Sequence, residues 1–169
     1  YRDARILPIY EGTNGIQSND LVFRKLLRDG GAEAKRFMDE MKQLAVGLAG
    51  LPSDDLDVIR LSLTKAVAAL EETTAWMLAN AKSNTEIMAA SAQPYQRQFS
   101  ITAGGYMLAR LARAAHEALY GGGTDADFYN AKLLTARFFA EALLPEVHGL
   151  SAPIMGGHKT VTHIANDQF

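Results

Sequence analysis

Glu11 is the residue of this 169-residue chain best suited to chemistry. It lies in the stretch ILPIYEGT, between two helical segments, with Ile6, Ile9 and Tyr10 before it and Gly12 and Thr13 after it. On composition alone a Glu-Gly-Thr in a loop is a solvated turn; the apolar neighbours set this one apart. A carboxylate among groups that tend to be buried is desolvated. Desolvation raises its pKa and suits it to act as a general base toward a weak carbon acid. Directly behind it, the start of a helix predicted from residue 14 offers unpaired backbone N–H groups of the kind that receive a phosphate or pyrophosphate.

Other candidates carry less. His148, His158 and His163 come in succession, but neither an HExxH pattern nor acidic partners at helical spacing accompany them. They read as ordinary histidines, and no metal is expected. GGHKT at 156–160 fails the phosphate-loop pattern, because His158 precedes Lys159 and no strand comes before it. Trp76, Met77 and Met88 are core-packing residues before they are pocket lining, and Glu71–Glu72 is a solvated helix face.

The elements that must position these groups are helices. Alanine and leucine are abundant, and no stretch alternates apolar and polar residues as a half-buried strand would. A first helix is predicted over 14–29, with Ile16, Phe23, Leu26 and Leu27 on one face and Ser18, Asn19, Arg24, Lys25 and Arg28 mostly opposite. Asn14 is its predicted N-cap, with Gln17 three residues on, and Gly30–Gly31 ends it. A second helix runs over about 32–49 along the seam Phe37, Met41, Leu44, Leu48 and Leu51. Ser53 caps a third, with Asp54, Asp55 and Asp57 at its positive end. The third helix runs to about Lys82, its seam formed by Leu56, Ile59, Leu63, Val67, Leu70, Thr74 and Met77, and Asn84 is its predicted stop.

The fourth covers about 86–120, with Pro94 as a kink or as the first turn of a fresh helix. Its predicted seam is Ile101, Gly105, Leu108, Ala112, Ala115 and Leu119. Gly104–Gly105 costs a helix interior about 1 kcal/mol per residue against alanine, which close approach by a neighbouring helix would offset. Gly121–Gly123 links to a fifth helix, opened by Thr124 or Asp125 and running to about Leu144. Pro145 and Gly149 loosen the chain, and 150–169 reads as an irregular tail. The fold class is all-α: an antiparallel helical bundle of four to five main helices, preceded by a short loop-helix piece.

Composition narrows the function. With 48% apolar and 21% charged residues the chain can build a core. Seventeen basic against nineteen acidic residues, with no basic run, argue against nucleic acid. The absence of cysteine excludes thiolate catalysis and disulfide scaffolds. No apolar run approaches a membrane span, and a cytoplasmic location is expected. The opening YRDARILPIYEG reads as the middle of something longer, so a C-terminal portion or a processed form is expected.

The segment YRDARILPIYEGTNGIQ resembles the C-terminal signature of the flavin-dependent acyl-CoA dehydrogenases: an arginine-rich helix end, then Ile-Tyr-Glu-Gly-Thr, two variable residues, and Ile-Gln. The continuation through Ser18, Asn19 and Asp20 into NDLVFRKL is similar to extended bacterial members that carry an additional acetyl-CoA dehydrogenase-like C-terminal helical domain. QFSITAGGYMLAR at 98–110 and FYNAKLLTARFFAEALLP at 128–145 resemble parts of that domain. The resemblance implies that residues 1–30 end a catalytic helical domain and that 31–169 form the appended bundle. It implies Glu11 as the base that removes the α-proton of an acyl-CoA, the β-hydrogen leaving as hydride to FAD to give a trans-2-enoyl-CoA. Gly12 then lies against the substrate, while Thr13, Asn14, Gly15 and Gln17 lie close to the FAD diphosphate.

The partners implied are an acyl-CoA and electron-transfer flavoprotein, in a homodimer serving fatty acid β-oxidation. This piece by itself is expected to bind no flavin and to be inactive. Two further readings stand beside this one: a helical interaction or dimerisation module with no chemistry of its own, and an independent helical ligand-binding domain. The apolar side of 1–29 is expected to fold back on the 31–169 bundle or to pair with a second copy, pairing being favoured.

Overall fold

The computed structural model describes residues 2–6, 13–81, 85–161, 163–164 and 166–168. Every regular element among them is helical. A 3-10 turn at Asp3–Ile6 precedes α1 (Asn14–Asn19), which widens into a π-helical turn over Asp20–Leu26. The chain then forms α2 (Ala32–Leu48), α3 (Asp54–Asn80), α4 (Thr85–Tyr120) and α5 (Ala126–Phe138). A second π-helical turn, Phe139–Leu143, leads into α6 (Glu146–Gly156) and the short α7 (His158–Val161), and a 3-10 turn lies at Asn166–Gln168. Lys42 in α2 meets Glu71 in α3, while Gly31 before α2 lies against Leu78 near the end of α3. Thr74 late in α3 meets Tyr95 early in α4, while Tyr120 at the end of α4 donates to the Pro52 carbonyl just before α3 (3.1 Å). The helices α2, α3 and α4 therefore run antiparallel in turn.

α3 carries out its sequence pattern in full. Leu56, Ile59, Leu63, Val67, Leu70, Thr74 and Met77 are all buried, and the Ser53 hydroxyl accepts from Leu56 N–H at the N-terminus (3.4 Å). On α5 the cap is Asp125, whose carboxylate accepts from Phe128 N–H. Gly30 and Gly31 turn the chain between the first segment and α2 with φ of 65° and 83°, which a side chain would resist. Pro94 lies inside a continuous α4, settling the alternative left open there. The expected stop at Asn84 lies outside the described residues.

Three readings change. The first helix is not an α-helix throughout: Leu27 N–H donates to Val22 C=O and Gly31 N–H to Leu26 C=O, each five residues back. The buried face is Ser18, Val22 and Leu26, with Ile16 exposed and Phe23 and Leu27 half-buried against the core. Its cap position is Thr13 rather than Asn14, without a side-chain bond. On α2 the buried seam is Met38, Met41, Ala45 and Leu48, with Phe37 and Leu44 at its edge. On α4 Ile101, Leu108 and Leu119 are only half-buried, while Tyr95, Gln98, Thr102, Tyr106 and Ala109 lie inside.

The largest correction is α6, which occupies much of the stretch expected to be irregular. Val147 and Ile154 are fully buried, and α4 reaches across to hold the helix. Gln98 donates from Nε2 to Val147 C=O (2.9 Å), and Ser91 donates to Ile154 C=O (2.7 Å). The Gln98 Oε1 accepts from Thr73 on α3 (2.6 Å), so one buried amide ties three helices together. Salt bridges repeat these links at the surface: Arg137–Asp55 joins α5 to the start of α3, and Arg97–Glu146 joins α4 to α6.

From α1 onward the first segment folds back on the bundle. Val22 and Leu26 share one core with α2, α3 and α4. No described helix is long and apolar enough to cross a membrane.

Candidate functional site

Glu11 and Gly12 lie outside the described residues. The description resumes at their neighbour Thr13, half-buried, whose carbonyl accepts from Gln17 N–H (2.9 Å) and so starts α1. Asn14, Gly15 and Gln17 follow on an exposed face. The anchor of this short helix is Ser18, buried against α4. Its Oγ lies 2.7 Å from Asn14 C=O and 2.5 Å from the Gln96 side chain. A hydroxyl has one proton, so both contacts are satisfied when the Gln96 amide turns its NH2 to the serine and the serine donates to Asn14. Sequence reasoning missed this residue because it placed Ser18 on the outer face.

Asn14 opens onto a cleft of about 520 Å3 lined by Gln96, Arg97 and Ser100 of α4 and Glu146 of α6, with Ile101, Phe139 and Leu143 as its apolar part. Across it Arg97 Nη2 reaches Glu146 Oε2 at 2.8 Å. The arrangement offers amide, hydroxyl and paired charged groups to a polar ligand portion running past the start of α1. It is open, and none of Thr13, Asn14, Gly15 or Gln17 is enclosed by it.

The remaining candidates resolve into packing. Met77 and Met88 are fully buried in the core, and Trp76 stacks at a tilt on the buried His158 ring (centroids 5.6 Å). His148 and His163 are exposed, and among the described residues no group of three or more His, Cys, Asp or Glu is placed to hold a metal ion. His158 and Lys159 of GGHKT start the short α7. Glu71 is not merely solvated. It pairs with Lys42 of α2 (2.5 Å), which also meets Asp39 (2.7 Å), and these carboxylates hold the ammonium pKa above its usual value.

Against known proteins, residues 33–165 match the family described as acetyl-CoA dehydrogenase C-terminal like. The chain is 42% identical over 146 residues to a 3-methylmercaptopropionyl-CoA dehydrogenase of Ruegeria pomeroyi, a match taking in 86% of this chain and 24% of that protein. It is 30% identical over 154 residues to the broad-specificity linear acyl-CoA dehydrogenase FadE5 of Mycobacterium tuberculosis, again 85% of this chain and 24% of the relative. The chain thus spans about a quarter of the length of the curated relatives it matches. With most of its length matched, the chain belongs to the acetyl-CoA dehydrogenase C-terminal-like family.

Proposed function

We propose that this chain serves as the C-terminal part of an FAD-dependent acyl-CoA dehydrogenase. The observation that carries the reading is that some 85% of the chain matches two relatives each named as an acyl-CoA dehydrogenase. Residues 1–30 then end the catalytic domain and 31–169 form an appended bundle, in keeping with a family match that starts at residue 33. The division is one of role rather than of packing, since Val22 and Leu26 belong to the bundle's core.

Asn14, Gly15 and Gln17 are exposed, and a Cβ built on Gly15 meets nothing within 4 Å among the described residues. The 169-residue chain alone is therefore proposed to hold no flavin and to be inactive. What it contributes to the whole protein is a base. The Glu11 carboxylate takes the proton from the carbon α to the thioester, with the Gly12 backbone against the substrate. Thr13, Asn14, Gly15 and Gln17 face the FAD diphosphate. The proposed partners are an acyl-CoA, electron-transfer flavoprotein and a second copy of the protein.

A second reading, the bundle as an interaction module, is favoured by Leu134 and Phe138. These lie one turn apart on α5 and are 61% and 63% exposed. The readings separate on the full-length protein bearing this segment. Anaerobic addition of saturated acyl-CoAs bleaches its flavin absorbance if the dehydrogenase reading holds. No bleaching with any straight or branched acyl chain rejects it.

A further inference from the structure

A cleft of about 590 Å3 opens between the π-helical turn, the start of α2 and the middle of α4. That volume falls within the range of small-molecule sites, roughly 300–1,000 Å3. Its floor is apolar and rigid. Leu26 and Tyr95 are buried, the Phe37 and Phe99 rings stack (6.1 Å, 23°), and Tyr95 meets Phe99 edge-on (6.1 Å). The one polar group of the floor, the Tyr95 hydroxyl, is engaged with Thr74 Oγ1 at 2.9 Å. Nothing on this floor can pair with a peptide backbone or a polar ring.

The rim is cationic. Arg24, Lys25, Arg28 and Arg36 border the cleft, against Asp29 and Glu33. Asp29 is already engaged: its two oxygens accept from the Gly31 and Glu33 backbone N–H groups (2.9 and 3.0 Å). Arg36 is taken up by Glu33, to which it donates two N–H groups, and by Glu40. Arg24 and Lys25 share one carboxylate, Asp20, at 3.1 and 3.8 Å. Arg28 makes no ion pair or hydrogen bond among the described residues. An apolar trough whose mouth holds the Arg28 guanidinium, unpaired among the described residues, beside Arg24 and Lys25, which share one carboxylate, fits a molecule with an apolar chain and an anionic head.

We propose that this cleft binds a single-chain amphiphilic carboxylate, a fatty-acid anion, with its alkyl chain along Phe37, Tyr95 and Phe99 and its head among Lys25, Arg28 and Arg24. The site is separate from the start of α1, and the proposal stands whether or not the dehydrogenase reading does. The π-helical turn is what presents both parts: its widened register buries Leu26 in the floor while Arg24 and Lys25 stay outside.

The test is calorimetric titration of the 169-residue chain with decanoate below its micelle concentration, beside decyltrimethylammonium, which has the same chain length and the opposite charge. Decanoate is expected to bind saturably at one site, at least tenfold more tightly than the cation. Lys25→Gln with Arg28→Gln, both at exposed positions, weakens decanoate about tenfold or more, the loss expected on removing charge-assisted contacts. Ala34→Trp, filling the cleft from α2, abolishes binding; if it fails to fold, the charge variant decides. Equal binding of both amphiphiles, decanoate affinity unmoved by the charge variant, or no decanoate binding overturns the proposal. So does association only with anionic phospholipid vesicles, which would mark a membrane surface instead.

Discussion

Gly105 is where the packing makes its sharpest demand. A Cβ there would sit 2.7 Å from Leu144 Cδ1 and 3.1 Å from Cδ2, well inside the roughly 3.5–4.0 Å of a comfortable carbon contact. Leu144 is 2% exposed and has little room to retreat. Gly105→Ala gains about 1 kcal/mol of helix propensity but incurs an overpacking cost of about 1–3 kcal/mol, so a net destabilisation of about 1 kcal/mol is expected. Leu144→Ala alone leaves a cavity and costs about 2–5 kcal/mol. In that background the clash is gone, and Gly105→Ala should turn stabilising by about 0.5–1 kcal/mol. The cycle therefore predicts a coupling near 2 kcal/mol, read from urea unfolding followed by circular dichroism. Gly104 is the control. Its Cβ would meet Phe139 Cζ at 3.2 Å, the far end of a half-buried ring, and Gly104→Ala should be neutral or stabilising. If Gly105→Ala stabilises the unaltered chain by about 1 kcal/mol, with no coupling to Leu144, the close-approach argument is refuted.

Three further outcomes are expected. Burial pushes the Tyr95 phenol up to about 12 from 10.0, against a smaller opposing effect of its bond to Thr74. A group whose folded pKa is raised contributes fully below the unfolded value, so about 2–3 kcal/mol should be lost between pH 10 and 12. Tyr95→Phe should flatten that limb of the stability curve. The Asp29 carboxyl is held below its usual range by the Glu33 N–H first, and by those of Gly31 and Ala32. Its contribution is thus present above the ordinary aspartate pKa and fades as pH falls beneath it. Asp29→Ala should lower the thermal midpoint at neutral pH and change it little in strong acid. The isolated chain, mixed with FAD and dialysed, should retain no flavin absorbance; a retained band would mean that its own residues enclose the cofactor.

How far the fold could be read depended on whether burial followed local periodicity. α3 was legible because its apolar residues repeat without interruption along a helix buried on one side. α2 was harder, because Phe37 and Leu44 are large but sit at the seam's edge, while small Ala45 lies inside it. The π-helical turn could not be foreseen from a spacing rule that assumes 3.6 residues per turn; on the first helix that rule places Ser18 outside and Ile16 inside, and it leaves Val22 unassigned.

α6 was hidden for a different reason. Pro145, Gly149 and Pro153 are local breakers, but Pro145 comes just before the first turn, where a missing N–H costs little. Pro153 lies inside the helix, which Gln98 and Ser91 hold from outside through the Val147 and Ile154 carbonyls. Those bonds span 49 and 63 residues of sequence, which no local pattern encodes. At the candidate site the sequence carried more than the described geometry does: the Ile-Tyr-Glu-Gly-Thr motif singled out Glu11, while the contacts of Ser18 and Gln96 behind it emerged only with the fold.

The account stands or falls on Glu11. In the full-length protein, Glu11→Gln keeps the side chain's size and hydrogen-bonding capacity but removes the base. Steady-state oxidation of acyl-CoA should fall by about 10²–10⁴-fold, with FAD content and thermal midpoint unchanged. A near-normal rate with flavin bound would contradict the assignment and leave the carboxylate a structural group.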